Sequence, residues 1–190
     1  MVSLTAGNEE KAITTGRYGG KIGRNGSYRI YAKYLDRNEQ SKPSGVGASD
    51  EWKAYRGGFR ADWGADNDDN KITLQGDSYH NIDNQLVSIP QLVSPYAFIQ
   101  EDMVHSRGTN MLGRLTKKLS NDAELTLQSY IDYNTRDQMI LNDQRVAFDL
   151  DAQYELPQYG RHEIIIGGKY RYTDDHLIGI STVTFQPPSR

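Results

Sequence analysis

Residues Gly16 to Asp36, GRYGGKIGRNGSYRIYAKYLD, form two runs of alternating residues joined by a short turn. In the second run an apolar set alternates with a mainly cationic set: Tyr28, Ile30, Ala32 and Tyr34 against Arg29, Tyr31 and Lys33. Because successive side chains of a strand point to opposite faces, the pattern predicts a hairpin with one apolar and one charged face. The Asn25-Gly26 pair between the runs is a typical hairpin turn signal.

Two architectures produce such a hairpin. In a soluble sandwich the apolar face is packed against a second sheet and the charged face meets water. In an outer-membrane barrel the apolar face meets lipid and the charged face lines a wet lumen. The hairpin alone is compatible with both.

The composition narrows the function classes. The chain has 190 residues, a hydrophobic content of 36%, and 13 Tyr against 4 Phe and 2 Trp. The absence of cysteine excludes disulfides, thiolate zinc sites and thiol nucleophiles. The net charge is -3 and the cations are spread along the chain, so the sequence shows no basic patch of the kind that binds nucleic acid. No nucleic-acid partner is therefore expected.

The alternation recurs along the whole chain. It predicts an all-β fold, an antiparallel up-and-down meander of about nine strands without a helix. The predicted strands are 2–7, the two runs within 16–36, then 51–65, 72–77, 111–119, 125–133, 148–154 and 163–173. We expect the apolar members Tyr28, Ile30, Phe59, Trp63, Leu74, Leu127, Leu150, Ile166 and Tyr170 to share one face. The opposite face should carry Arg29, Arg60, Gln75, Gln128, Asp151 and Lys169.

The connections between these strands differ in predicted length. Short turns are expected near Asn25, Asp68, Asn121 and Gln158, and longer loops at 37–50, 80–109, 134–143 and beyond 174. The stretch 80–109 lacks a sustained period and is predicted to be irregular. Short turns at one end of the strands and long loops at the other are typical of bacterial outer-membrane barrels, and this asymmetry favours a transmembrane β-barrel.

Six segments together resemble a known family. RYGGKIG, SYRIYAKYLDR, EWKAYRGGFRADW, KITLQGDSY, GRHEIIIGGKYRYTDD and FQPPSR resemble, in this order, the first part of the barrel of a TonB-dependent outer-membrane receptor. The resemblance implies that residues 1–190 are a partial barrel domain, without its plug, of a plugged barrel of about 22 strands in the bacterial outer membrane. We therefore expect a fragment with two open sheet edges.

The resemblance also implies a function and partners. Such receptors import a scarce nutrient, such as a ferric siderophore or cobalamin, with energy supplied through TonB. The implied partners are outer-membrane lipid, the plug domain of the same parent chain, TonB through that parent chain, and the small nutrient ligand. The alternatives are a soluble all-β ligand-binding module of lipocalin-like or carbohydrate-binding type, and a nonspecific porin.

No catalytic constellation is found, so the chain is not expected to be an enzyme or to hold a cofactor. Asp149 and Asp151 share a strand face, which is conceivable for a glycosidase pair but is what any wet lumen contains, and the structural interpretation is favoured. The four histidines are dispersed, and no metal site is expected. Asp174-Asp175-His176 is predicted to end a strand. The glycine-rich stretches at 19–23 and 23–27 are not followed by a helix and so lack a phosphate-binding helix N-terminus.

The candidate functional residues are the cations on the charged face. In a receptor barrel they would face the lumen and contact the plug or an anionic ligand, with carboxylates such as Asp62, Asp77 and Asp132 as further partners. The predicted ligand- or plug-facing residues are Arg17, Arg29, Lys33, Arg60, Arg114, Lys169 and Arg171.

Overall fold

The computed structural model describes residues 1–64, 68–119 and 122–179. These residues form one antiparallel sheet of nine strands in the order β1 to β9, with no helix among them. The strands are β1 (Val2–Thr5), β2 (Ala12–Ile22), β3 (Gly26–Arg37), β4 (Trp52–Trp63), β5 (Asn70–Pro90), β6 (Ala97–Lys118), β7 (Glu124–Gln138), β8 (Leu141–Glu155) and β9 (Ile165–Ile178). None of the described segments is a helix long and apolar enough to cross a membrane.

The predicted meander is confirmed. Each strand pairs with its neighbours in sequence, and β1 and β9 are the two edges of the sheet. The sheet is therefore open, with one unpaired backbone edge on each side in the part that the structure describes.

The predicted division into two faces is also confirmed. Residues directly opposite each other in an antiparallel pair project to the same side, and the register links the predicted apolar set across β3 to β9. Ile30 lies opposite Phe59, Leu150 lies opposite Tyr170, and the strands between continue the pattern. We call this side the apolar face and the side that carries Arg29, Arg60 and Lys169 the polar face.

The turn between β2 and β3 differs in detail from the prediction. Gly26 is already the first residue of β3, opposite Ile22, and Gly23 takes the left-handed conformation with φ of 67°. The connection is therefore the three residues 23–25, and the glycine that permits the turn precedes Asn25 instead of following it. Asn25 donates from Nδ2 to Asp68 at 3.0 Å, which ties this turn to the next one along the edge.

Two predicted loops are wrong. Residues 80–109 lie mostly within β5 and β6, which pair with each other from Asn70 and Lys117 to Pro90 and Ala97. Residues 134–143 belong mainly to β7 and β8, joined by a two-residue turn at 139–140. Beyond the reach of β4 and β7, β5 and β6 pair only with each other, so the apolar alternation of the sheet is not required there. We call residues 84–103 the extension.

The loops are consequently not sorted by length. The connections nevertheless alternate between the two ends of the strands, as the predicted meander requires. Residues 38–51 and 91–96 lie at one end of the strands, and the turns at 23–25, near Asp68 and at 156–164 lie at the other end. The predicted turn at Asn121 and the closing segment 185–190 lie outside the described residues.

The sheet has almost no hydrophobic core within the described ranges. The buried apolar residues there are Ala61, Val87, Val104 and Ala123, and no large side chain is fully buried. The side chains on both faces therefore remain accessible, and the function of each face depends on what covers it.

Candidate functional site

All seven predicted cations lie on the polar face. The register places Arg29 opposite Arg60, Arg114 opposite Gln128, and Lys169 opposite Asp151, and the same alternation carries Arg17, Lys33 and Arg171 to this side. The structure thus brings the predicted set onto one surface. It distributes them over several strands, and they form no single cluster.

Arg60 is held by a carboxylate on its own strand. Its Nε and Nη2 donate to Asp62 at 2.8 and 2.9 Å, and Asp62 also accepts from the hydroxyl of Thr73 at 2.8 Å. Asp62 is therefore a partner of the predicted cations, as expected. The guanidinium is oriented by this contact and is not free to bind a carboxylate ligand with its full fork.

Asp149 is one of the two most enclosed acidic groups described on this surface, with Asp102. It has 8% of its area exposed, accepts from Arg171 at 2.8 to 3.1 Å, and lies 3.5 Å from Lys169. Asp151 accepts from Gln153 at 3.1 Å. A carboxylate held by two cations is stabilised in its charged form and is unsuited to act as a general acid, which disfavours a glycosidase pair.

Asp77 has partners that the sequence did not indicate. The hydroxyl of Tyr31 donates to Asp77, and Arg56 lies 3.5 Å from the same carboxylate while donating to the Tyr31 hydroxyl at 3.1 Å. The Tyr31 ring covers Gly58, where an added Cβ would lie 2.7 Å from the ring. The glycine thus gives a tyrosine room to lie across the polar face.

Asp132 is the third predicted acidic partner, and it binds neutral groups. It accepts from the hydroxyl of Tyr130 at 3.1 Å and from the amide of Asn134. Asn134 in turn accepts from the hydroxyl of Tyr79 at 2.8 Å. The tyrosines of the polar face are therefore part of its hydrogen-bond network. In the sequence, the alternation of these tyrosines with cations was the pattern that could have indicated this role.

Cations face each other at two places on this surface. Arg29 lies opposite Arg60, and Lys33 lies opposite Arg56. Like charges directly opposite each other destabilise a sheet, and Asp62 beside Arg60 and Asp77 beside Arg56 offset part of this repulsion. Lys33 and Arg56 line a cavity of about 480 Å³. Its other lining residues are Leu35, Trp52, Ala54, Tyr79, Asn81 and Ser106.

Two of the dispersed histidines meet in the fold. Nε2 of His80 lies 3.3 Å from Nδ1 of His105, and their rings stack with centroids 5.6 Å apart. Sequence spacing gave no sign of this pair, because its members lie on two adjacent strands.

The segment Asp174-Asp175-His176 is not the end of a strand, since β9 continues to Ile178. Asp175 on the polar face is bound by Arg145, whose Nη2 donates at 3.2 Å. Among the described residues no group of three or more His, Asp or Glu side chains is arranged to hold a metal ion.

Comparison with known proteins adds no identification. No family model, no curated protein and no solved structure matches the chain.

Proposed function

We propose that the chain is a segment of the wall of a transmembrane β-barrel that imports a nutrient across the bacterial outer membrane, as in TonB-dependent receptors. One observation carries the proposal. Among the described strand residues, the exposed large hydrophobic side chains lie on the apolar face, with the exceptions of Phe98 and Ile165. They include Ile131, Leu150, Ile166 and Tyr170, which are 49, 44, 61 and 59% exposed.

An apolar surface of this extent needs a cover. Contiguous apolar patches on soluble monomers seldom exceed a few hundred Å². A soluble sandwich would cover the face with a second sheet, whereas all nine described strands belong to the same sheet. Lipid provides the cover in an outer-membrane barrel, and the polar face then lines the lumen.

We call the hydrophobic part of the apolar face the apolar band, and its length along a strand supports a membrane location. In β4 the band runs from Tyr55 to Trp63 on the apolar face, close to the roughly 9 to 11 residues that a tilted strand needs to cross a bilayer. Tyr34 and Tyr55 border the band at one end, and their rings lie 5.1 Å apart. Aromatic residues at both borders are typical of the interfacial girdles of these barrels. The band ends at four residues that lie opposite one another on β3 to β6, namely Tyr34, Tyr55, His80 and Arg107.

The open edges favour a large barrel. Unpaired backbone groups cannot remain in hydrocarbon, so β1 and β9 require further strands. The additional strands and the plug would belong to the same parent chain, with TonB acting through it. Each cation pair on the polar face has two cations beside one carboxylate, and this excess of positive charge favours an anionic cargo such as a ferric siderophore, with cobalamin as the other candidate nutrient.

The membrane assignment can be tested by cysteine scanning, because the chain contains no cysteine and each introduced thiol is unique. Spin labels at Leu127, Ser129 and Ile131 should be accessible to oxygen dissolved in lipid. Labels at Gln128 and Tyr130 should be accessible to a water-soluble nickel complex. The measurement uses the protein reconstituted in vesicles. A label at Ile99, on the apolar face of the extension, should report water and serves as the control.

Equal accessibility of all five band positions to the nickel complex would contradict the membrane assignment. So would recovery of a folded, monodisperse monomer without detergent, since lipid would then not be needed to cover the apolar face.

The import assignment has a separate test. Trp52 lines the cavity of Lys33 and Arg56. A ferric catecholate siderophore or cyanocobalamin should quench its fluorescence in detergent-solubilised protein. The variants Lys33→Met and Arg56→Met should weaken binding of the anionic siderophore. The variant Lys21→Met, near the opposite end of the strands, should not. Failure of both compounds to bind would contradict import of these two nutrient classes and leave the membrane result unaffected.

A further inference from the structure

Nε2 of His80 on β5 lies 3.3 Å from Nδ1 of His105 on β6, on the apolar side of the sheet. We propose that this pair is a two-histidine binding site for a borderline transition-metal ion such as Zn²⁺ or Cu²⁺. Neither the barrel proposal nor the predicted nutrient is needed for this inference, because it depends only on the two imidazoles and their surroundings.

The separation of the two nitrogens suits a shared metal ion. Zinc binds histidine nitrogen at about 2.0–2.1 Å with tetrahedral geometry, which places two ligand nitrogens about 3.3 Å apart. Without an ion the same contact is a hydrogen bond between the two imidazoles, which the bound ion would replace. Imidazole nitrogen is a preferred ligand of zinc, copper and nickel and a poor ligand of magnesium and calcium.

The surroundings hold the rings in place and leave them accessible. Both histidines are half-buried. The Tyr55 ring lies 6.2 Å from that of His80, and the two imidazoles stack at an angle of 29°. The described residues provide no third metal-ligating side chain here, so water would complete the coordination. Such a site exchanges its ion readily.

The nearby charges act in opposite directions. Arg107 lies opposite His80 and repels a cation, whereas Asp137 lies opposite His105 and attracts one. The position gives the ion a structural effect. The two histidines lie next to the extension, where β5 and β6 cease to pair with β4 and β7. A bound ion would therefore link β5 to β6 at the start of the extension.

The test is isothermal titration of the detergent-solubilised protein with ZnCl₂, with MgCl₂ as the hard-cation control. We expect saturable Zn²⁺ binding and none of Mg²⁺. Loss of an outer-sphere partner of a metal ligand already weakens affinity 10–100-fold, so His80→Ala and His105→Ala should each weaken Zn²⁺ binding at least about tenfold. His162→Ala, in the exposed connection 156–164, is the matched control and should bind normally. Arg107→Gln should bind Zn²⁺ more tightly, because a like charge is removed.

A measurement on the unaltered chain makes the result independent of variant folding. The electron paramagnetic resonance spectrum of the Cu²⁺-loaded protein should show coupling to two imidazole nitrogens. Absence of saturable Zn²⁺ binding, a spectrum with one or no coordinated imidazole, or equal affinity in the wild type and both histidine variants would overturn the site. Unchanged affinity in Arg107→Gln would place the ion elsewhere and would overturn it as well.

Discussion

Arg171 of β9 holds Asp149 of β8 through two nitrogens, Nε at 2.9 Å and Nη2 at 2.8 Å. The pair joins the edge strand of the sheet to its neighbour. Lys169 approaches the same carboxylate at 3.5 Å from the same edge strand. Asp149 is the more enclosed partner, since 11% of its side chain is exposed against 62% for Arg171.

Replacing Arg171 by Met should therefore destabilise the attachment of β9. The variant leaves Asp149 with the longer contact to Lys169, and an enclosed carboxylate that loses its main partner is costly. Because the arginine is largely exposed, we expect only a small loss in the free energy of unfolding, measured by urea titration in detergent. Arg161→Met, in the connection before β9, is the control. Equal stability of the two variants would show that the Arg171–Asp149 pair does not stabilise the sheet.

Gly58→Ala should displace Tyr31 from the polar face. An added Cβ would lie 2.6 Å from Asp77 Oδ1, 2.7 Å from the Tyr31 ring and 2.8 Å from the backbone oxygen of Gly76, and the backbone cannot easily yield. Overpacking of this kind costs about 1–3 kcal/mol of stability. Gly57→Ala is the matched control one residue away, where the nearest atom is 3.6 Å distant. If the two variants unfold at the same urea concentration, the close packing at Gly58 is not as described.

Asp102→Ala should free the β7–β8 turn from the extension. Asp102 is 8% exposed and accepts from Gln85 Nε2 at 3.0 Å and from the backbone amide of Met139 at 3.1 Å. A hydrogen bond to a charged group contributes roughly 1.5–3 kcal/mol, so the Met139 amide should exchange with deuterium at least about tenfold faster. Glu101→Gln, on the other face of β6, should leave the exchange of this amide unchanged. A slow Met139 amide in Asp102→Ala would mean that another group protects it.

Asp83→Asn should stabilise the protein at neutral pH. Burial raises the pKa of Asp83 above its ordinary value of 3.8, against a smaller opposing effect of Arg136. A carboxyl with a raised pKa in the folded state favours folding when protonated, and this contribution is lost as the pH rises through the folded-state pKa. The variant should therefore gain stability relative to the wild type from about pH 4 upward, with little difference at lower pH. Urea titrations of both proteins from pH 3 to 7 test this, and a gain confined to low pH would reverse the argument.

The alternation of residues was sufficient to predict the sheet and the side on which each residue lies. A strand has a side-chain period of two, so once Tyr28 and Ile30 are placed on one face, Arg29 must lie on the other. The same rule placed Arg60, Arg114 and Lys169 correctly on the polar face. Sequence order was enough for the topology as well, because short connections between consecutive strands produce a meander.

The length of β5 and β6 was decided by the tertiary structure. Residues 84–103 have no lasting alternation, because the extension pairs only with itself and neither of its faces has to match the apolar band. Backbone hydrogen bonds between the two strands hold it, and these bonds do not depend on the side chains that a periodicity would reveal.

The contacts across strands were likewise beyond the sequence. His80 and His105 meet although 25 positions separate them, and Arg171 reaches Asp149 over 22 positions. Alternation determines the face of a side chain but not the residue opposite it. The opposite residue is set by the register, which depends on the exact length of every turn, and a shift of one residue in a turn would give each of these groups a different partner.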